Sequence, residues 1–134
     1  MIGLDSSALV KRYQREEHSV WVREQMSLDP EWWSSTLLAA ESAIAIARMA
    51  PSSEELVQAD ARLSRDLEFF DMVPVDADCL VNAIQIGREF QLRTLDAIHL
   101  AAFRAMPAGC RFITFDERMV QTARALGLEM LTPA

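Results

Sequence analysis

Near each end of this 134-residue chain a short apolar run stops at an aspartate and passes directly into a helix-forming stretch. Ile2-Gly3-Leu4 stops at Asp5, and Phe112-Ile113-Thr114-Phe115 stops at Asp116. A strand that hands over to a helix through one acid favours parallel strands, because the intervening helix returns the chain to the same edge of the sheet. The rest of the chain keeps this alternation. Ile2–Asp5 reads as a strand and Ser6–Arg15 as a helix with Leu9, Val10 and Tyr13 on one side. A helix over His18–Met26 must end before Asp29-Pro30, since the residue before proline avoids helical geometry. Trp32–Thr36 reads as a strand and Thr36–Met49 as a helix stopped before Pro51. Ser53 opens a helix to Phe70: serine can cap it, and Glu54 and Glu55 suit its positive end. Met72–Val75 is a strand, Asp76 or Asp78 starts a helix to Phe90, and Thr94 caps another to Met106. Arg111–Phe115 is a strand, Asp116 caps a helix that Gly127 ends, and Leu128–Leu131 is a last strand. The pattern predicts an α/β fold with a mostly parallel sheet and helices on both faces.

The length suits a single domain over residues 1–134 that needs no staples, since a chain of this size buries roughly 68% of its unfolded surface. Cys79 and Cys110 lack the spacing of a zinc or redox motif and read as reduced thiols. No apolar run approaches the ~18 residues of a membrane span, and the first residues lack the basic flank of a signal peptide. The expectation is a cytoplasmic protein. A net charge of −7 argues against gripping nucleic acid by bulk charge alone, though not against holding a phosphate through a metal ion.

Most of the 20 acids lie on polar helix faces, but four do not. Asp5 and Asp116 sit where ligands bind an open parallel sheet, beyond the carboxyl ends of strands. Either can also be read as a helix cap. Asp96 lies in the first turn of the nearly apolar stretch Thr94-Leu95-Asp96-Ala97-Ile98-His99-Leu100-Ala101. Glu41 falls mid-helix in Leu37-Leu38-Ala39-Ala40-Glu41-Ser42-Ala43-Ile44-Ala45-Ile46, so apolar all round that the helix is expected to be buried. A carboxylate there costs several kcal/mol unless compensated, by a buried arginine or by a metal site. Four converging carboxylates repel one another. A hard divalent cation with oxygen ligands resolves the repulsion and can activate water against a phosphate.

These segments resemble the acid motifs of PIN-domain ribonucleases. Asp5-Ser6-Ser7-Ala8-Leu9-Val10-Lys11 is similar to the opening motif, Ala40-Glu41-Ser42 to the second acid and Thr114-Phe115-Asp116 to the last. Arg93-Thr94-Leu95-Asp96-Ala97-Ile98-His99-Leu100-Ala101 is similar to the third acid motif, especially that of VapC-type toxins of toxin–antitoxin pairs. The resemblance spans the whole chain in order. It implies a three-layer α/β/α fold and RNA cleavage dependent on Mg²⁺ or Mn²⁺. Asp5 and Asp96 would be the firmest metal ligands and catalytic acids, with Glu41 and Asp116 supporting. Ser6, Thr94 and Thr114 match family hydroxyl positions that would orient the carboxylates. Arg12, Arg15 and Arg93, close to the motif acids, would meet the RNA backbone. His99 reads as a packed core histidine. The resemblance also implies a cognate VapB-type antitoxin and a homodimer. Residues 54–70, with Trp32 and Trp33, are a candidate groove for a partner helix.

Two rival chemistries fail on single residues. An aspartyl phosphatase usually carries a second acid two positions after its nucleophile, where Ser7 stands here. A phospho-accepting receiver needs a lysine late in the chain, and the only lysine is Lys11. A catalytically silent PIN domain, acting as a protein- or RNA-binding module, is the alternative of a different class.

Overall fold

The computed structural model describes residues 1–133. Four strands form one parallel sheet in the order β3-β2-β1-β4. They are β1 (Ile2–Leu4), β2 (Trp32–Ser35), β3 (Phe70–Val73) and β4 (Arg111–Ile113). The register pairs Ile2 with Trp32 on one side and with Arg111 on the other, and Trp32 with Phe70. The chain thus leaves β1 towards one edge and returns to its opposite side as β4. The carboxyl ends of β1 and β4 flank the point where strand order reverses, the usual crevice for ligands in an open α/β sheet.

Helices cover both faces. One face carries α1 (Ser6–Leu9) with the 3₁₀ turn Val10–Arg12, α2 (Ser19–Leu28), α3 (Leu38–Met49) and α4 (Ser53–Leu67). They pack around Ile2, Leu4, Phe70 and Ile113. The other face carries α5 (Ala77–Phe90), α6 (Thr94–Arg104) and α7 (Glu117–Ala125), packed around Trp33, Val73 and Phe112. Strand alternation splits neighbouring residues between the two cores. Trp32 joins the first and Trp33 the second, and Ile113 and Phe112 divide in the same way. The chain folds as the expected α/β/α layers.

Several boundaries shift for local reasons. The expected helix from Ser6 to Arg15 shortens to one α turn and one 3₁₀ turn. Ser52, not Ser53, caps α4, accepting from Glu55 N at 3.1 Å. Asp76 caps α5 through Cys79 N at 3.0 Å. Thr94 is not a cap: it is the first residue of α6, after an extended Arg93 with no side-chain capping bond. The expected last strand is reduced to one parallel bridge, Phe112 to Met130, beside β4.

One larger expectation is corrected. The helix carrying Glu41 is not buried all round. Leu38, Ser42 and Ile46, spaced four residues apart, are its fully buried residues, Ala43 and Ala45 pack beside them, and Ile44 and Met49 are exposed. Its alanines make the sequence apolar without adding enough side-chain area to demand burial. Along the candidate partner segment one side is core, while Val57 and Phe69 are exposed. Ala59 and Leu63 are core residues, with Leu56 and Leu67 packed against them. Trp32 packs on Phe70 with ring centroids 5.5 Å apart, and the Arg12 guanidinium lies 5.5 Å from its ring centre.

Candidate active site

Asp5 follows β1 and is the N-cap of α1, which explains both its place and its burial. Its Oδ1 accepts from Ser7 Oγ at 2.6 Å and from Ala8 N at 3.1 Å; its Oδ2 accepts from Thr114 Oγ1 at 2.5 Å. Thr114, just past β4, reaches Asp5 across the switch point and also accepts from Asp116 N at 3.2 Å. Phe115 N donates to Ser7 Oγ at 3.0 Å, which closes the network. A carboxylate has roughly four acceptor positions. Three are filled here, and the one left open is on Oδ2. Burial pushes the Asp5 carboxyl above its usual range; the Ser7 and Thr114 hydroxyls, the charge of His99 and the Ala8 amide oppose that rise.

Asp116 caps α7, with Oδ1 accepting from Arg118 N at 2.9 Å and Met119 N at 3.2 Å. The cap and ligand readings of Asp5 and Asp116 therefore do not compete, because capping Asp116 occupies Oδ1 and leaves Oδ2. Asp96 stands in the first turn of α6. Burial raises its pKa most, and the neighbouring charge of Asp116 raises it further, against Arg93, His99 and Arg118. Glu41 lies in the first turn of α3, not mid-helix, because the helix starts at Leu38. Its side chain is 26% exposed, and Oε1 lies 2.6 Å from His99 Nε2. The partner of this carboxylate is thus a histidine, not an arginine. Burial alone would lower the His99 pKa, but Glu41, Asp5 and Asp96 outweigh it and the net shift is upward. Through these mutual influences the four acids and His99 share one neighbourhood at the strand ends.

Other candidates separate. Thr114 touches the acid network, while Ser6 and Thr94 do not donate to Asp5, whose hydroxyl partners are Ser7 and Thr114. Arg12 is turned away: its Nε donates to Asp66 Oδ2 at 2.7 Å, and Tyr13 OH donates to the same oxygen at 2.7 Å. Arg15 is exposed beside a cleft of about 640 Å³ lined by Tyr13, Glu55 and Arg62. Arg93 is exposed and close enough to Asp96 to influence it. Sequence reasoning missed Ser7, His99 and Arg118. Ser7 and His99 fall two and three positions after a motif acid, a spacing that was the available signal; Arg118, two after Asp116, carried the same one.

The buried Asp66 gives a stability prediction. Asp66→Ala leaves Arg12 and Tyr13 without their acceptor and is expected to cost about 2–4 kcal/mol. Urea unfolding measures it, and an unchanged midpoint would show that the Arg12–Asp66–Tyr13 contact carries no net stability.

Asp5, Asp96, Asp116 and Glu41 offer only hard oxygen donors, while the two cysteines are buried within or against the second core. Among the described residues, no three acid, histidine or cysteine side chains converge tightly enough to clasp an ion by themselves. The hard oxygen donors are of the kind that Mg²⁺ or Mn²⁺ takes, ions that keep several waters and use one or two carboxylates. The arrangement does not suit an all-protein cage. The open position on Asp5 Oδ2 and the carboxylate of Asp96 are the donors that fit.

The PIN domain family matches residues 2–125. Ribonuclease VapC46 of Mycobacterium tuberculosis is 34% identical over 134 residues, covering 99% of this chain and 98% of its own length. The solved structure of M. tuberculosis VapC20, described as a Sarcin-Ricin loop cleaving toxin, superposes with a TM-score of 0.74 at 19% identity. It covers 99% of this chain and all of its own. A toxin–antitoxin complex from Klebsiella pneumoniae superposes with a TM-score of 0.60 at 16% identity, covering 100% of this chain and 87% of its own. At those identities the two structures speak to the fold.

Proposed function

The chain belongs to the PIN-domain family, and from that premise we propose that it is an endoribonuclease dependent on Mg²⁺ or Mn²⁺, the toxin of a VapBC-type pair. The observation that carries this reading is Asp5. It is a buried carboxylate at the sheet's switch point, fixed by three donors with one acceptor position left, and Asp96, Asp116 and Glu41 stand around it. Asp5 and Asp96 would hold the divalent cation, which would supply positive charge against the phosphate and lower the pKa of a bound water. The chain's own residues do the positioning. Ser7, Ala8 and Thr114 fix the Asp5 carboxylate, so no reorganisation is needed when substrate arrives. Glu41 and Asp116 are the acceptors available to orient an attacking water or a second ion. Arg93 and Arg118, exposed beside Asp96, are the cations available to a backbone phosphate, and Arg15 is exposed as well.

A free RNA-cutting enzyme must be restrained, and a neighbour in fold is a toxin–antitoxin complex, so a VapB-type antitoxin is the proposed partner. Leu80, Val81 and Ile84, within about one turn of each other on α5, are exposed, as is Leu95 of α6, and exposed apolar side chains of this kind support a homodimer. Two cores sharing one sheet support a single PIN domain over residues 1–134. No described helix is long and apolar enough to cross a membrane, and the free thiols suit a reducing compartment, so the cytoplasm is the proposed location.

The toxin reading is tested in a bacterial host. Expression without antitoxin is expected to arrest growth and degrade RNA, and Asp5→Asn at equal abundance is expected to relieve both. Normal growth with abundant soluble wild-type protein would count against the toxin role.

A further inference from the structure

The contact between His99 and Glu41 crosses the molecule's layers. Glu41 rides on α3, in the first core, and His99 on α6, in the second. Their side chains meet at the carboxyl edge of the sheet with Nε2 and Oε1 2.6 Å apart. His99 is buried, and Glu41 Oε1 is enclosed, with the His99 ring the basic group recorded within reach of it among the described residues. Along α6, His99 is three residues after Asp96 and so shares its face. Its neighbours along α6, Ile98, Leu100 and Phe103, are apolar, and Glu41 is the polar side chain it meets. The imidazole is therefore better explained by the carboxylate it meets than by the core around it.

We propose that His99 is a positioning residue for Glu41. Its Nε2–H donates to Oε1, holds the carboxylate between α3 and α6, and leaves Oε2 as the oxygen free for a cation or a water. Both the Nε2-protonated neutral imidazole and the imidazolium make this bond. Without it, Glu41, attached to a partly exposed helix face, regains its rotamer freedom and the acid group loses a fixed member. Residues that orient metal-site ligands typically change metal affinity or activity by roughly 10–100-fold when removed. This inference rests on the metal-dependent ribonuclease reading.

A mutant cycle on the full chain tests it. Wild type, His99→Leu, His99→Gln, Glu41→Gln and the His99→Leu/Glu41→Gln double variant are compared by Mn²⁺ binding in the absence of RNA, by RNA cleavage rate and by melting temperature. His99→Leu is expected to weaken Mn²⁺ binding and slow cleavage by roughly 10–100-fold. His99→Gln, whose amide nitrogen reaches close to the Nε2 position, is expected to recover a substantial part of both. The double variant is expected to be no worse than Glu41→Gln alone, because His99 acts through Glu41. His99→Leu matching wild type in binding and cleavage overturns the proposal, as do fully additive losses. If His99→Leu does not fold, a folded His99→Gln that is as impaired as Glu41→Gln overturns it. A wild type that neither binds Mn²⁺ nor cuts RNA defeats the ribonuclease reading and this inference together. A wild type that does both beside an unaffected His99→Leu defeats this inference alone.

Discussion

Asp5→Asn is expected to lower RNA cleavage by roughly a hundredfold or more while leaving the fold intact. Asparagine keeps the shape and keeps an oxygen for Ser7 Oγ and Ala8 N. It puts an NH₂ where Oδ2 stands, and the Thr114 hydroxyl can rotate to accept from it. What is lost is the charge and the open acceptor position. Stability is not expected to fall in EDTA. The folded-state pKa of Asp5 is raised, mainly by burial, so ionising it disfavours the folded protein as pH rises through the carboxylate range. Removing the charge removes that penalty at neutral pH. Cleavage rates and melting curves on the same preparation check both halves. A variant that keeps wild-type activity would show Asp5 to be a cap and nothing more.

Asp96→Asn is expected to abolish cleavage as thoroughly and to remove most of the response of stability to metal. A ligand that binds only the folded state stabilises it by about 2.7 kcal/mol at a hundredfold excess over its dissociation constant, so Mn²⁺ raises the wild-type melting temperature. The variant loses most of that rise. In EDTA it melts no lower than wild type, and the sign follows from its neighbours. Burial and the charge of Asp116 raise the Asp96 pKa in the folded state, against Arg93, His99 and Arg118. The folded protein therefore binds this proton more tightly than the unfolded chain. Stability from this group is greatest below the unfolded carboxylate pKa and is lost as pH rises through the folded one. The advantage of asparagine in EDTA should thus grow from acid to neutral pH. Melting curves of both proteins, with EDTA and with Mn²⁺, decide it. An active variant with a normal metal shift would remove Asp96 from the site.

Much of this architecture is visible in the chain because local and tertiary demands agree. Asp5 and Asp116 had to end strands and cap helices, and both readings point to one edge of a parallel sheet. The layers followed from strands that alternate with helices. What was hidden depended on contacts between distant segments. Arg12 looked free beside the first motif, yet Asp66, 54 residues away, holds it. Ser7 looked like the absence of a second acid, yet its hydroxyl and that of Thr114, 107 residues on, are 3.3 Å apart, and both donate to Asp5. His99 looked like core because its neighbours along α6 are apolar, and nothing local to it announces Glu41. The alanine-rich helix misled in the opposite direction, since composition measures apolarity and not the area a side chain can bury.

The central claim is that these four acids cut RNA through a divalent cation. The initial rate of cleavage of a single-stranded RNA by the purified, antitoxin-free protein tests it most directly, measured over a Mn²⁺ titration and again with excess EDTA. Cleavage that rises with Mn²⁺, saturates and stops in EDTA is the predicted result. Cleavage that continues undiminished in excess chelator would contradict it.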